Sequence, residues 1–163
     1  SAYGLDKIEF TVTANAGQKC KAIACVASGG ELARISLAMQ MIIANNSKIP
    51  SLVFDEVDSG IGGGIAEIVG QQLRILGSIK SADSITDRKN QVICITHLAQ
   101  VASQAHQHYR VEKQTQDRQT TSRVISLDKE QRRQEIARML SGVEITEQSL
   151  AHADEMIERA QKI

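Results

Sequence analysis

Tryptophan is absent from the chain, and Tyr3, Phe10, Phe54 and Tyr109 are its only other aromatic residues. Burial must therefore come from Ile, Leu, Val, Met and Ala, and an aromatic platform for stacking bases is not expected. Net charge is missing as well, because 19 basic residues balance 19 acidic ones. No global basic field advertises nucleic acid, and only a local contact surface remains open. The three cysteines, Cys20, Cys25 and Cys94, are odd in number and lack zinc-ligand spacing, so they read as reduced thiols of a cytoplasmic protein. No signal peptide and no apolar run of membrane-spanning length occur, which points away from a membrane. Repeats and low-complexity stretches are also lacking. The last absence carries the most chemistry: no G-x-x-x-x-G-K-[ST] phosphate loop occurs, so any work on a nucleotide needs a partner to supply one.

What is present describes a globular unit. Its 163 residues are 42% hydrophobic and 23% charged, a size and balance that bury roughly 70% of the unfolded surface in one domain spanning residues 1–163. Residues 7–14 alternate apolar and polar and predict a half-buried strand, with Asn15-Ala16-Gly17 turning toward a second short strand at residues 20–25. Leu32, Ile35, Met39 and Ile42 recur at helical spacing between Glu31 and Asn45. After Pro50, Leu52-Val53-Phe54 is a short buried strand that ends in Asp55-Glu56, and the carboxyl end of such a strand is where open α/β sheets place ligands. Glycines at 60 and 62–64 turn the chain into a helix striped by Ile65, Ile68, Val69, Leu73 and Leu76, and residues 78–90 form a polar connection. Gln91 to Thr96 is a second buried strand, with His97 at its carboxyl end and a helix starting at Leu98. If the two strands are neighbours, Glu56 and His97 reach one crevice. Residues 108–113 and 122–127 predict a hairpin around a polar loop, 114–121. Two helices follow, Lys129 to Ser141 ended by Gly142, and Thr146 to about Lys162 with Thr146 as N-cap. The class is α/β, a mainly parallel or mixed sheet flanked by helices, with a β-hairpin and two carboxyl-terminal helices.

Two motifs point to phosphate chemistry. Ser28-Gly29-Gly30-Glu31 opens a helix. Ser28 and Glu31 have the spacing of a capping box, yet two glycines in a first turn cost helix propensity and let a backbone approach an anion closely. Asp55-Glu56 offers one carboxylate for a hard magnesium ion and a second to orient an attacking water. His106-x-His108 shares a strand face but lacks a third ligand. Met39, Met41, Met139 and Met156 fit packing positions, and Arg132, Arg133 and Arg138, interleaved with Glu130 and Glu135, read as a solvated helix face.

Val26-Ala27-Ser28-Gly29-Gly30-Glu31-Leu32-Ala33-Arg34 resembles the signature motif of ABC-type ATPase heads, Leu52 to Glu56 their Walker B strand, Ser59 to Gly62 their D-loop, and Thr96-His97 their switch histidine. With Phe54-Asp55-Glu56-Val57-Asp58, Thr96-His97-Leu98-Ala99-Gln100-Val101-Ala102 and Glu135-Ile136-Ala137-Arg138-Met139-Leu140-Ser141-Gly142, nearly the whole chain resembles the bacterial RecN family of DNA repair proteins, relatives of the structural-maintenance-of-chromosomes (SMC) proteins. The resemblance is to the carboxyl-terminal lobe of a P-loop NTPase head. It implies that the Walker A loop and a long coiled coil belong to the rest of the polypeptide. It implies ATP and Mg2+ as cofactors, with Asp55 holding magnesium through a water, Glu56 as catalytic base and His97 on the γ-phosphate. Ser28, Gly29, Gly30 and Glu31 would cover the γ-phosphate held by a second head of a homodimer, with Ser59, Gly60 and Gly62 as its D-loop. DNA as partner and a cytoplasmic, nucleoid-associated location are implied in the same way. The expected function is an ATP-hydrolysing head that controls DNA clamping in double-strand-break repair. The alternatives are a non-catalytic dimerisation or DNA-holding module and the head of another ABC- or SMC-type ATPase. The chain alone is expected to be inactive.

Overall fold

The computed structural model describes residues 4, 8–13, 17, 19–25, 29–46, 49–55, 58, 60–78, 90–116, 119–142 and 144–162. Strands β1 (Thr11–Val12) and β2 (Lys21–Ala22) pair antiparallel, so the opening hairpin forms, in shorter form than the alternation predicts. The apolar positions Ile8 and Phe10 ahead of the paired residues stand exposed, while Val12 within β1 is partly buried. A single 3-10 turn, Ile23–Cys25, follows.

Helix α1 (Gly29–Asn46) starts where the glycine pair predicts and leads into β3 (Ser51–Asp55). Its buried anchor is Leu37, whereas Leu32, Met39 and Ile42 are exposed. The 3.6-residue spacing is right, but the face that packs is set by what lies against it. Helix α2 (Gly63–Ser78) repeats the lesson. Ala66, Val69, Gly70, Leu73 and Leu76 are buried, while the predicted stripe members Ile65 and Ile68 face outward.

Strand β4 (Gln91–Ile95) lies parallel to β3, with Ser51 opposite Gln91 and Asp55 opposite Ile95. Because side chains alternate across a strand, Leu52, Phe54, Val92 and Cys94 turn toward α2 and join Leu37, Ala66, Val69, Leu73, Leu76 and Val101 in the first core. Val53, Ile93 and Ile95 point the other way and are exposed, Val53 at 66%. The strands expected to be fully buried are therefore buried on one face only.

A four-residue helix, α3 (Ala99–Ala102), joins two cores. Its Val101 belongs to the first, and its Ala99 and Ala102 belong to a second with Ile136, Ala137 and Ala153. The second core lies among α3, α4 (Lys129–Ser141) and α5 (Glu147–Gln161). Both long helices are capped as their sequences dictate. Asp128 and Gln131 form a reciprocal capping box at α4, as do Thr146 and Ser149 at α5, and Gly142 takes a φ of 78° where α4 stops.

Between α3 and α4 in chain order, β5 (Tyr109–Gln116) and β6 (Gln119–Ser126) make an antiparallel hairpin. The strands run further than the sequence suggests, because Gln114, Thr115 and Gln116 continue the ladder opposite Thr121, Thr120 and Gln119. Threonine suits a pleated ladder despite being polar. Pairing among the described residues thus forms three two-stranded sheets, one parallel and two antiparallel, within the mixed α/β class.

The arginines of α4 form ties and not a merely solvated face. Arg132 donates to the Ser103 and Ala105 carbonyls at 2.7 Å, and Arg74 of α2 donates to the Gln104 carbonyl at 2.7 Å. These bonds satisfy carbonyls just past the end of α3 that have no intrahelical partner. Arg133 bridges both Asp154 oxygens at 2.9 Å. Buried Glu135 is held by Arg138 and Arg110, which keep its carboxyl below the usual range. No helix among the described residues is long and apolar enough to cross a membrane.

Candidate functional site at the carboxyl ends of two parallel strands

The parallel register decides the site. Asp55 is the last residue of β3 and is exposed; opposite it, Ile95 ends β4, and His97 follows two residues later. Asp55 and His97 therefore emerge from adjacent strands at the same end of the sheet; the pair expected to share a crevice was Glu56 and His97, and Glu56 is not among the described residues. Ser28, Glu56 and Ser59, the other side chains expected to act here, lie outside the described residues.

The carboxylate that organises the described site is Asp58, which carries no role in the sequence motifs. Its exposure is 1%. One oxygen, Oδ2, accepts a hydrogen bond from the Thr96 hydroxyl and another from the His97 backbone N–H at 3.0 Å. The Nδ1 of the His97 ring lies 3.3 Å from that oxygen. Thr96 Oγ1 in turn accepts from the Leu98 N–H at 3.0 Å, at the start of α3. A loop after β3 is thus fastened through a single carboxylate to the residues that follow β4. His97 remains accessible despite this anchor, with its side chain 73% exposed. The available signal for Asp58 was a third acidic residue three positions after Asp55, placed just before a glycine turn.

That turn is tight. The Ile61 N–H donates to the Asp58 carbonyl at 3.2 Å, and Gly60 takes a φ of 76°, a left-handed conformation that side-chain-bearing residues rarely adopt. Gly62, Gly63 and Gly64 are exposed, and a Cβ at any of them would meet nothing within 4 Å. This stretch presents bare backbone outward at the start of α2. At the other motif, Gly29, Gly30 and Glu31 are the first three residues of α1. Leu37, the anchor of that helix, lies eight residues further on, about 12 Å along the axis.

The Cys94 thiol is pushed up to about 11, by burial first and then by the charges of Asp58 and Asp55. It stays protonated and is not a nucleophile. The donor set fits a magnesium ion carried by a nucleotide, because Asp55 offers one free carboxylate and magnesium keeps several waters and phosphate oxygens. A dedicated protein cage is not expected, and no group of three His, Cys, Asp or Glu side chains suited to a metal occurs among the described residues.

No protein-family model matches the chain. Curated relatives do. The chain is 44% identical over 160 residues to the DNA repair protein RecN of Xylella fastidiosa strain 9a5c, covering 98% of this chain and 27% of the relative. It is 47% identical over 157 residues to RecN of Vibrio cholerae, covering 96% and 26%. To RecN of Bacillus subtilis it is 38% identical over 160 residues, covering 98% and 26%. Among solved structures, it is similar to a chain from work on ATP-driven dimerization and DNA-stimulated activation of SMC ATPases. The TM-score is 0.53 and the identity 24%, covering 79% of this chain and 71% of that one; at that identity the likeness shows the fold. Along nearly its whole length the chain is thus similar to the RecN proteins, spanning about a quarter of their length, and it shares the mixed α/β fold of that solved chain.

Proposed function

We propose that residues 1–163 act as one lobe of an ATP-binding and ATP-hydrolysing head in a RecN-like DNA repair protein, with ATP sandwiched between two heads to control clamping on DNA. The observation that carries this reading is the parallel pairing of β3 and β4, which brings Asp55 and His97 out side by side beyond one end of the sheet. Phosphoryl transfer asks little covalent chemistry of a protein and much positioning and charge stabilisation, and the strand ends supply both. The apolar outer face of Val53, Ile93 and Ile95 suits a further lobe that supplies the missing phosphate loop.

In this reading magnesium, when bound, neutralises charge on the β- and γ-phosphates. Asp55 would hold the ion through a water. Glu56 positions the attacking water and takes its proton. His97 extends its ring toward the γ-phosphate. Ser28, Gly29, Gly30 and Glu31 close on the γ-phosphate of the second head, where the start of α1 directs backbone N–H groups at an anion. Ser59, Gly60 and Gly62 form the D-loop between heads. Loss of the γ-phosphate removes contacts across the interface and lets the heads part. DNA binding, the homodimer, the coiled coil and nucleoid association belong to the same proposal.

The test is Glu56→Gln in the complete protein. The amide keeps the shape of the carboxylate but cannot take a proton, so ATP-dependent dimers should persist while turnover falls. Turnover at the parental rate would remove Glu56 from its role. The 163-residue chain alone should show no tight ATP binding by calorimetry; micromolar affinity in a monomer would overturn completion by a partner.

A further inference from the structure

We propose that Asp58 is a positioning residue that holds His97 in its working orientation and ties it to the glycine turn of Gly60 and Gly62. The inference rests on the ATPase reading above and assigns a part of it that neither the strand-end carboxylates nor the phosphate contacts explain.

Two hydrogen bonds converge on one oxygen of Asp58, from the Thr96 hydroxyl and from the His97 N–H at 3.0 Å, and the His97 ring Nδ1 lies 3.3 Å from the same atom. The ring and its own backbone are therefore held at one point. A proton on Nδ1 would face the carboxylate and leave the other nitrogen, Nε2, outward. A histidine whose side chain is 73% exposed would otherwise sample several rotamers, and each wrong one has to be excluded before chemistry. Asp58 has no surface role to explain it: it is 1% exposed, and its second oxygen, Oδ1, is buried without a hydrogen-bond partner among the described residues. A buried carboxylate left half satisfied is costly and is accounted for by what it holds. Its backbone carbonyl also accepts from the Ile61 N–H, so the residue that fixes His97 also opens the turn leading to Gly60 and Gly62. A second head docking on that turn would press on the same residue that sets the histidine.

The experiment measures steady-state ATP turnover of the complete protein for the parent, Asp58→Asn, Asp58→Ala, His97→Ala and the two double variants. Asparagine keeps an oxygen for the Thr96 hydroxyl and the His97 N–H and the same shape, so it should fold and retain much of the parental kcat. Alanine should lower kcat roughly 10- to 100-fold with KM for ATP within about twofold. Neither change should lower kcat further in the His97→Ala background, because a residue acting only through His97 has nothing left to position. A buried residue with a purely structural role would lower melting temperature and leave the losses additive; additivity, or an Asp58→Ala enzyme at the parental kcat, overturns the proposal. If Asp58→Ala does not fold, Asp58→Asn decides the matter, since its smaller loss must vanish in the His97→Ala background. A parental protein without ATP turnover would instead overturn the ATPase reading itself.

Discussion

Replacing Gly70 by alanine would drive a methyl group into the backbone of α3. A Cβ built there lies 2.7 Å from Cγ of Gln104, 3.1 Å from Cα of Val101 and 3.2 Å from the Gln100 carbonyl oxygen. Gln104 is buried, so its side chain has little room to swing, and the other two atoms are main chain. Relief requires α2 and α3 to separate. Overpacking of this kind costs about 1–3 kcal/mol, against about 1 kcal/mol gained when alanine replaces glycine inside a helix. The net expectation is a loss of about 1 kcal/mol. Gly77 in the same helix is the control. Its nearest neighbour would be Val92 Cγ2 at 3.7 Å, an ordinary contact, so Gly77→Ala should be neutral or stabilise by up to about 1 kcal/mol. At about 3 °C per kcal/mol for a chain of this size, melting curves should separate the two variants by roughly 3–6 °C, with Gly70→Ala the lower. If Gly70→Ala melted at or above the parent, the close approach of α2 to α3 would be refuted. The link from α2 to the residues following His97 would fall with it.

Acid should weaken the fold through His108. Burial first, and the nearby Arg132 charge second, lower its pKa from 6.5, with Glu135 opposing. The folded state therefore keeps the imidazole neutral where the unfolded chain protonates, so stability holds above about pH 6.5 and falls as pH drops below it. His108→Gln should flatten that fall in melting temperature measured from about pH 7.5 to 5; an unchanged slope would assign it elsewhere. At the signature helix, Ser28→Ala should cost about 1 kcal/mol if Ser28 is an N-cap. Ser28→Asp can still cap but places a negative charge against the γ-phosphate, so in the complete protein it should melt like the parent and lose ATP-dependent dimerisation and turnover. A stable Asp variant with undiminished turnover would reduce Ser28 to a cap.

Local signals carried much of the architecture. Helix ends were legible because capping is a local matter: the Thr146 cap and the Gly142 stop were both marked by residues within a turn of the helix end. The acidic end of β3 and the histidine beyond β4 were legible because a short apolar run fixes where a strand stops. Residue type and spacing could not decide which face of a helix would pack. Ile65 and Ile68 have the right period and face outward, because the neighbours of α2 are α1, β4 and α3 and they meet Ala66, Val69 and Leu73 instead. The hairpin was foreseen but cut short, since the glutamines and threonines that extend it are polar in sequence and become strand only by pairing across the ladder.

The site divides along the same line. The sequence by itself determined that Asp55 and His97 end two apolar runs and that glycines follow the first, since each depends only on local order. Only the tertiary structure decided that the runs are parallel neighbours in register and that Asp58, in sequence one more polar loop residue, is buried and bonded to Thr96 and His97 beyond the second run. That contact joins residues 38 and 39 positions apart. Long-range bonds of this kind are fixed by how α2 packs the strands together, and no local pattern records them.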